Sequence, residues 1–100
     1  IGGATIAPFE RALEGTPLEG HYSPEKDRVR QEVNRWIRES RAFDAVVDMD
    51  ALLRDPAHPS RLKKEVDSGD HLHPGDAGYK AMAAAVDIDA LLGDPVDVSP

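Results

Sequence analysis

The chain has 100 residues, enough for one small domain and too few for two, since domains usually take roughly 100 to 200 residues. Its 40% hydrophobic and 31% charged residues are typical of a globular protein, and no apolar run approaches the roughly 18 residues of a membrane span. The net charge of -7 argues against nucleic-acid binding. The absence of cysteine excludes disulfides, thiolate nucleophiles and cysteine-bound zinc.

The first segment, IGGATIAPFE, has neither an initiator methionine nor a basic, apolar leader. We therefore expect an excised or processed piece of a longer protein. Residues 4–7 predict a short buried strand, because Thr and Ile flank small residues and Pro8 then removes a ladder donor. Residues 10–23 contain glycine and proline without a sustained period, which predicts a long surface connection.

A helix is predicted from Ser23 to about Ser40. Ser23 can cap free N–H groups, Pro24 suits the first turn, and Glu25 lies near the positive end of the helix dipole. Apolar residues then recur at spacings of three and four and predict one buried stripe: Val29, Val33, Trp36 and Ile37. The opposite, solvated face is predicted to carry Lys26, Arg30, Glu32 and Arg38.

A second strand is predicted at residues 45–47, where a nearly continuous apolar run favours coverage on both faces. Residues 54–69 are predicted to form a loop, in which the segment SRLKKEV can form one helical turn. Asp76 is the predicted N-cap of a last helix that ends at Gly93 and Pro95. The order strand, helix, strand, helix predicts an α/β fold with parallel strands and a right-handed crossover.

Asp48 and Asp50 follow the second strand, so they are candidates for the rim of an active site. Ordinary solvation at the end of a strand is the preferred interpretation of these two carboxylates.

The stretch DSGDHLHPGDAGYKAM, residues 67–82, crowds acids and histidines into the connection before the last helix. Reactive groups of open α/β sheets gather in such connections. Pro74 restricts His73 to an extended backbone on a constrained corner. Asp70, three residues earlier, can accept a hydrogen bond from one ring nitrogen of His73. That bond would fix the tautomer and stabilise the imidazolium formed when the other nitrogen takes a proton.

Other interpretations of these residues stay open at this point. An Asp and a His at this spacing often arise by chance, and on spacing alone a solvated loop ahead of a capped helix is the preferred interpretation. Asp67, Asp70, His71 and His73 offer metal ligands, although so short a segment rarely wraps three of them around one ion. In an extended segment His71 would point away from His73, which favours a solvated or wall-lining role.

The sequence DSGDHLHPGDAGYKAMA resembles the last sequence block of the SGNH, or GDSL-type, hydrolases. In that block an Asp and a His three residues apart precede a Pro and a Gly-Tyr pair, here Asp70, His73, Pro74, Gly78 and Tyr79. VNRWIRESRAFDAVVDMDALLRDP resembles the helix and penultimate strand of the same family, and IGGATIAPF resembles an earlier core strand. The resemblance covers nearly all of the chain.

The resemblance implies a serine ester hydrolase with a flavodoxin-like, three-layer α/β fold and a parallel sheet. Residues 1–100 would be the C-terminal βαβα segment of one such domain. His73 would be the catalytic base and acid, and Asp70 would orient it. The family needs no cofactor or metal, and its substrates are esters or acetylated small molecules, carbohydrates or lipids. Similarity to secreted bacterial esterases implies a secreted or periplasmic parent protein.

Parts of the family pattern are missing from this chain. The nucleophile of the family lies in a Gly-Asp-Ser block, and its oxyanion-hole Gly and Asn lie in two middle blocks. Ser68 is poorly placed to replace that nucleophile, because it stands only two residues from Asp70. We therefore expect the isolated chain to be inactive and its partner to be a missing N-terminal segment of the same protein. The alternative is a small α/β binding or interaction module without catalysis.

Overall fold

The computed structural model describes residues 1–93. Its elements in chain order are β1 (Gly2–Ala4), α1 (Pro24–Glu39), β2 (Ala45–Val47), α2 (Met49–Leu53), a 3-10 turn (Lys64–Val66), α3 (Asp76–Ala85) and α4 (Ile88–Leu92). The order agrees with the predicted alternation of strand and helix, with α2 and α4 as additions. Pro95, predicted to help end the last helix, lies outside the described residues.

The two strands pair in parallel, with Gly2 opposite Ala45 and Ala4 opposite Val47. The connection between them contains α1, as a parallel pair requires. The predicted α/β class with parallel strands is therefore confirmed.

The strand β1 begins two residues earlier than predicted and ends three residues earlier. Its partner β2 ends at Val47, and the chain enters α2 at Met49, so the ladder has no partner for residues beyond Thr5. The last ladder contact is the bond from Thr5 N to Val47 O, 3.1 Å. Both main-chain polar groups of Ile6 bind instead to the Asn34 side chain on α1: Ile6 N donates to Oδ1 at 2.7 Å, and Nδ2 donates to Ile6 O at 2.9 Å.

The start of α1 agrees with the prediction, and its buried face does not. Ser23 caps the helix by accepting a bond from Lys26 N, with Pro24 in the first turn. The side chains that the helix buries are Asp27, Arg30, Asn34 and Ile37. The predicted apolar stripe is wrong except for Ile37, since the exposed residues on this helix include Val29, Val33 and Trp36.

Complete hydrogen bonding explains why Arg30 is 4% exposed although it was predicted to lie on the solvated face. Its Nε donates to Asp27 Oδ1 at 3.0 Å, and its Nη1 donates to Asp50 Oδ1 at 2.6 Å and to Ile6 O at 3.1 Å. A buried charge that lacked such partners would be strongly destabilising. The polar face of α1 is therefore the face that packs on the rest of the protein.

In the part of the chain that the structure describes, β2 is not covered on both faces as predicted, because Val46 is 39% exposed. Asp48 then caps α2 by accepting a bond from Ala51 N, so a helix begins where a solvated strand end was predicted. Asp50, unlike the partly exposed Asp48, is not solvated: it is 4% exposed, and its carboxylate accepts bonds from Arg30, Arg38 and Arg54.

The apolar core lies beneath the segment that leads into α3. Leu53, Leu62 and Val66 form its buried cluster, and Met82 of α3 packs against them. Close packing at Gly78 brings α3 onto this core, since a Cβ there would lie 2.7 Å from Val66 O. The core thus fixes both ends of the segment that carries the candidate site.

The last helix differs from the prediction at both ends. Gly75 is the N-cap residue of α3, and Asp76 is already in the first turn, where its carboxylate still favours the helix dipole. Gly75 N is committed to Val66 O, at 2.7 Å, which holds Gly75 extended against the preceding segment. Helix α3 ends at Ala85, and Asp87 caps the separate helix α4 through Ala90 N. Within residues 1–93, no helix is both long enough and apolar enough to span a membrane.

Candidate active site

Residues 67–74, here called the corner, form a small closed loop before α3. Main-chain bonds close it at its base: Ser68 N donates to His73 O at 3.1 Å. A third segment supports it from outside, because Leu13 N donates to Asp70 O at 2.8 Å. The long connection after β1 therefore packs against the corner and is not only a surface linker.

The structure brings together the two residues that the sequence singled out. Asp70 Oδ2 lies 2.7 Å from Nδ1 of His73, and Asp70 Oδ1 accepts the His73 backbone N–H at 2.8 Å. The His73 side chain is 62% exposed. With Nδ1 engaged by the carboxylate, Nε2 is the ring nitrogen available to an incoming group.

The carboxylate of Asp70 is held in its charged form. The hydrogen bond with the His73 side chain is the largest cause of a pKa well below the ordinary value of 3.8. The backbone N–H groups of His73 and Leu72 lower this pKa further. An ionised carboxylate next to Nδ1 is the arrangement that stabilises a protonated imidazole ring.

Ser68 was predicted to be poorly placed to act as the nucleophile. Its Oγ donates to Asp70 Oδ1 at 3.1 Å, so it binds the carboxylate and not the ring of His73. Ser68 therefore adds a donor to the carboxylate.

The same corner contains a second aspartate–histidine pair, which was not predicted from the sequence. Oδ2 of Asp67 lies 2.6 Å from Nδ1 of His71, and Asp67 Oδ1 accepts the His71 backbone N–H at 3.1 Å. His71 is not extended as predicted, because its φ of 62° is left-handed. That reversal lets its ring return to Asp67, four residues earlier. The one available signal was that histidine tolerates left-handed backbone better than most residues do.

A cavity of about 530 Å³ lies beside the corner. His71 lines it together with Asp67 and Ser68 from the corner, and Arg61 and Lys64 from the preceding segment. The wall-lining role expected for His71 agrees with this position. A smaller cavity, about 260 Å³, lies between α1 and α2 and includes no corner residue.

The corner holds its acids and histidines as two separate pairs. Among residues 1–93, no three histidine or acidic side chains are grouped so that they could hold a metal ion. The geometry therefore gives no support to the metal-site alternative.

A comparison with known families assigns the chain to a family. The sequence profile of the GDSL-like Lipase/Acylhydrolase family matches residues 3–86 of the 100 residues. The chain belongs to this family. A search of curated proteins found no match.

Membership of the GDSL-like lipase/acylhydrolase family confirms the resemblance noted in residues 67–83 and the segments before them. The parallel strands and flanking helices are consistent with the α/β fold of GDSL hydrolases. The matched region includes β1 except its first residue, together with α1, β2 and the whole corner. The family is named for lipases and acylhydrolases, which are enzymes that hydrolyse esters.

Proposed function

We propose that this chain supplies the histidine and the aspartate of a Ser-His-Asp triad in an ester hydrolase. The observation that carries the proposal is the 2.7 Å contact between Asp70 Oδ2 and His73 Nδ1, on a ring whose side chain is 62% exposed. Membership of an acylhydrolase family supports the same role.

In the proposed reaction, Nε2 of His73 takes the proton from a serine hydroxyl while that oxygen attacks the ester carbonyl. The imidazolium that forms is stabilised by Asp70 through Nδ1, and it then protonates the leaving alcohol. Water repeats the sequence on the acyl-enzyme and releases the acid. The steps in which Nε2 takes a proton, from serine and then from water, need a proton on Nδ1 and a free Nε2, which is the tautomer that the Asp70 contact favours.

The serine is proposed to come from a preceding segment of the same protein, of which this chain would be the C-terminal part. Within the described residues, Ser23 caps α1 and Ser68 binds Asp70. Exposed apolar side chains on α1 and β2, such as Trp36 at 55% and Val46 at 39%, also suit a surface covered by the rest of a larger domain. The substrate would be an ester or acetylated molecule.

The test expresses the chain together with the segment encoded before it and measures hydrolysis of a short activated ester. We expect the chain alone to be inactive and the longer protein to be active. In the longer protein, His73→Ala should reduce kcat by about 10⁴-fold or more, and Asp70→Asn by about 10⁴-fold, because a triad acts as a unit.

The matched control is His58→Ala, which removes an exposed histidine from the loop after α2 and should leave activity unchanged. Turnover by the isolated chain that is lost in His73→Ala would contradict the need for a preceding segment. A longer protein whose activity survives His73→Ala would contradict the role of the pair and favour a binding module.

A further inference from the structure

The corner contains two carboxylate–imidazole pairs built on one plan. In each pair, one aspartate oxygen accepts two backbone N–H groups, and the other oxygen lies within 2.7 Å of a histidine Nδ1. They differ in exposure: the side chains of Asp67 and His71 are 11% and 30% exposed, against 34% and 62% for Asp70 and His73. The proposed triad uses the exposed pair and leaves the sheltered pair without a role.

Asp67 closes the turn in which Asp70 stands. Its Oδ1 accepts the N–H groups of Gly69 and His71, at 2.8 and 3.1 Å, and its Oδ2 holds the His71 ring. Asp70 lies between those two residues, so the direction in which its side chain leaves the backbone depends on this turn.

The left-handed backbone of His71 needs the same contacts. A φ of 62° is unfavourable for a residue with a side chain, so it persists where the surroundings hold it. Asp67 holds His71 by both its N–H and its ring. This reversal brings the chain back so that Asp70 and His73 lie on one side of the loop.

We infer that Asp67 and His71 form a positioning pair, which fixes the turn that presents Asp70 to Nδ1 of His73. The inference rests on the proposed function of Asp70 and His73. Asp67 and His71 act through the turn, without contact with the reacting atoms. The exposed pair gains little support from packing, and the sheltered pair provides the anchor.

The test is a spectroscopic signature of His73 in the ¹⁵N-labelled 100-residue chain. Ring nitrogen shifts report which nitrogen of the neutral imidazole carries the proton. In the unaltered chain we expect one tautomer, with the proton on Nδ1, because Asp70 accepts it. Asp67→Ala should convert this signal to that of mixed tautomers, since the turn loses three hydrogen bonds and no longer fixes the direction of the Asp70 side chain.

A second variant and a control separate positioning from a loss of folding. His71→Gly accepts the left-handed backbone and keeps the N–H bond to Asp67 but lacks the ring, so it should also mix the His73 tautomers, to a smaller extent. Asp55→Ala removes an aspartate that makes a similar turn contact, with Ala57 N, in the loop after α2, and it should leave His73 unchanged. The indole signal of Trp36 reports whether each variant remains folded.

The outcomes are distinguishable. A single Nδ1–H tautomer that persists in folded Asp67→Ala and His71→Gly overturns the positioning role and leaves the proposed triad intact. An unaltered chain that lacks this tautomer overturns both. A change in His73 that Asp55→Ala reproduces, or that appears only together with a change at Trp36, also overturns the inference. In the longer enzyme, Asp67→Ala should lower kcat by about a hundredfold with little change in KM, because it misplaces the base and not the substrate.

Discussion

The corner and the first helix are both held by aspartates with cationic or imidazole partners, yet over very different distances along the chain. In the corner, the side-chain hydrogen bonds join residues two to four positions apart. Around α1, Arg30 reaches Asp50 across 20 positions, and Thr5 reaches Asp50 across 45. The Asp70–His73 pair could be recognised from its spacing, whereas the long-range network depends on how the elements pack.

Exposure also separates the two regions. Arg30 and Asp50 are each 4% exposed, while the His73 side chain is 62% exposed. Loss of a partner in the buried network leaves a charge with fewer hydrogen bonds and no access to water, which is costly. Loss of a partner in the corner leaves a group that water can still reach. We therefore expect the α1 network to determine stability and the corner to determine chemistry.

The largest expected effect on stability is that of Asp50→Ala. Three arginines lose a shared acceptor, and the buried Arg30 loses its 2.6 Å contact with Oδ1. The free energy of unfolding should fall by about 3–5 kcal/mol, measured by urea or thermal denaturation of the chain. Glu32→Ala, on the exposed side of α1, is the charge-matched control and should change stability by less than about 0.5 kcal/mol. Equal losses in the two variants would refute the contrast between buried and exposed acids.

Asn34→Leu should have the next largest effect. The Asn34 side chain is fully buried and pairs with both main-chain polar groups of Ile6. Leucine has similar volume but cannot hydrogen-bond, so we expect a loss of about 1–3 kcal/mol in the same denaturation experiment. Hydrogen exchange at Ile6 N–H should accelerate at the same time. Unchanged exchange at Ile6 would mean that Asn34 does not cap the strand.

Acid should weaken the protein through Asp48 more than through the corner. The hydrogen bond from Arg38 is the main cause that holds the pKa of Asp48 well below its ordinary value of 3.8. Asp48 therefore binds a proton in the unfolded chain before the folded one, so its stabilisation is complete above about pH 4 and is lost as the pH falls below that value.

Melting temperatures between about pH 5 and pH 2 test this expectation. Arg38→Leu removes the main cause of the low pKa of Asp48, so the melting temperature of this variant should fall less steeply as the pH is lowered. His73→Ala removes the main cause of the low pKa of Asp70 and should reduce this steepness less, because that pair is more exposed. If the melting temperature fell more steeply with acid in Arg38→Leu than in the unaltered chain, the link between the Asp48 pKa and stability would have the opposite sign to the one expected.

The smallest expected effect on stability is that of His73→Ala. An exposed pair contributes at most about 1 kcal/mol, so the denaturation midpoint should move little. The same variant should abolish ester hydrolysis in the longer protein. Loss of several kcal/mol on His73→Ala would show that the corner is a structural element, against the division of roles proposed for the two regions.

The buried face of the first helix was predicted wrongly from its sequence, for an identifiable reason. Periodicity assigns apolar residues to the interior, and it placed Val33 and Trp36 there and Arg30 outside. The helix has the opposite face inward because Arg30 and Asn34 find buried hydrogen-bond partners there, most of them on other segments. Asp27 lies on α1 itself, but Ile6 lies in the segment after β1 and Asp50 lies in α2, and no spacing within α1 reveals these two.

The sequence by itself determined the alternation of strand and helix, the cap at Ser23, and the partnership of Asp70 with His73. Each of these follows from residues within a few positions of one another, so the local chain carries the whole physical cause. The tertiary structure alone decided which face of α1 is buried, where β1 ends, and that Asp50 is surrounded by arginines. These features arise because distant segments must satisfy one another's polar groups away from water, and that requirement exists only in the folded chain.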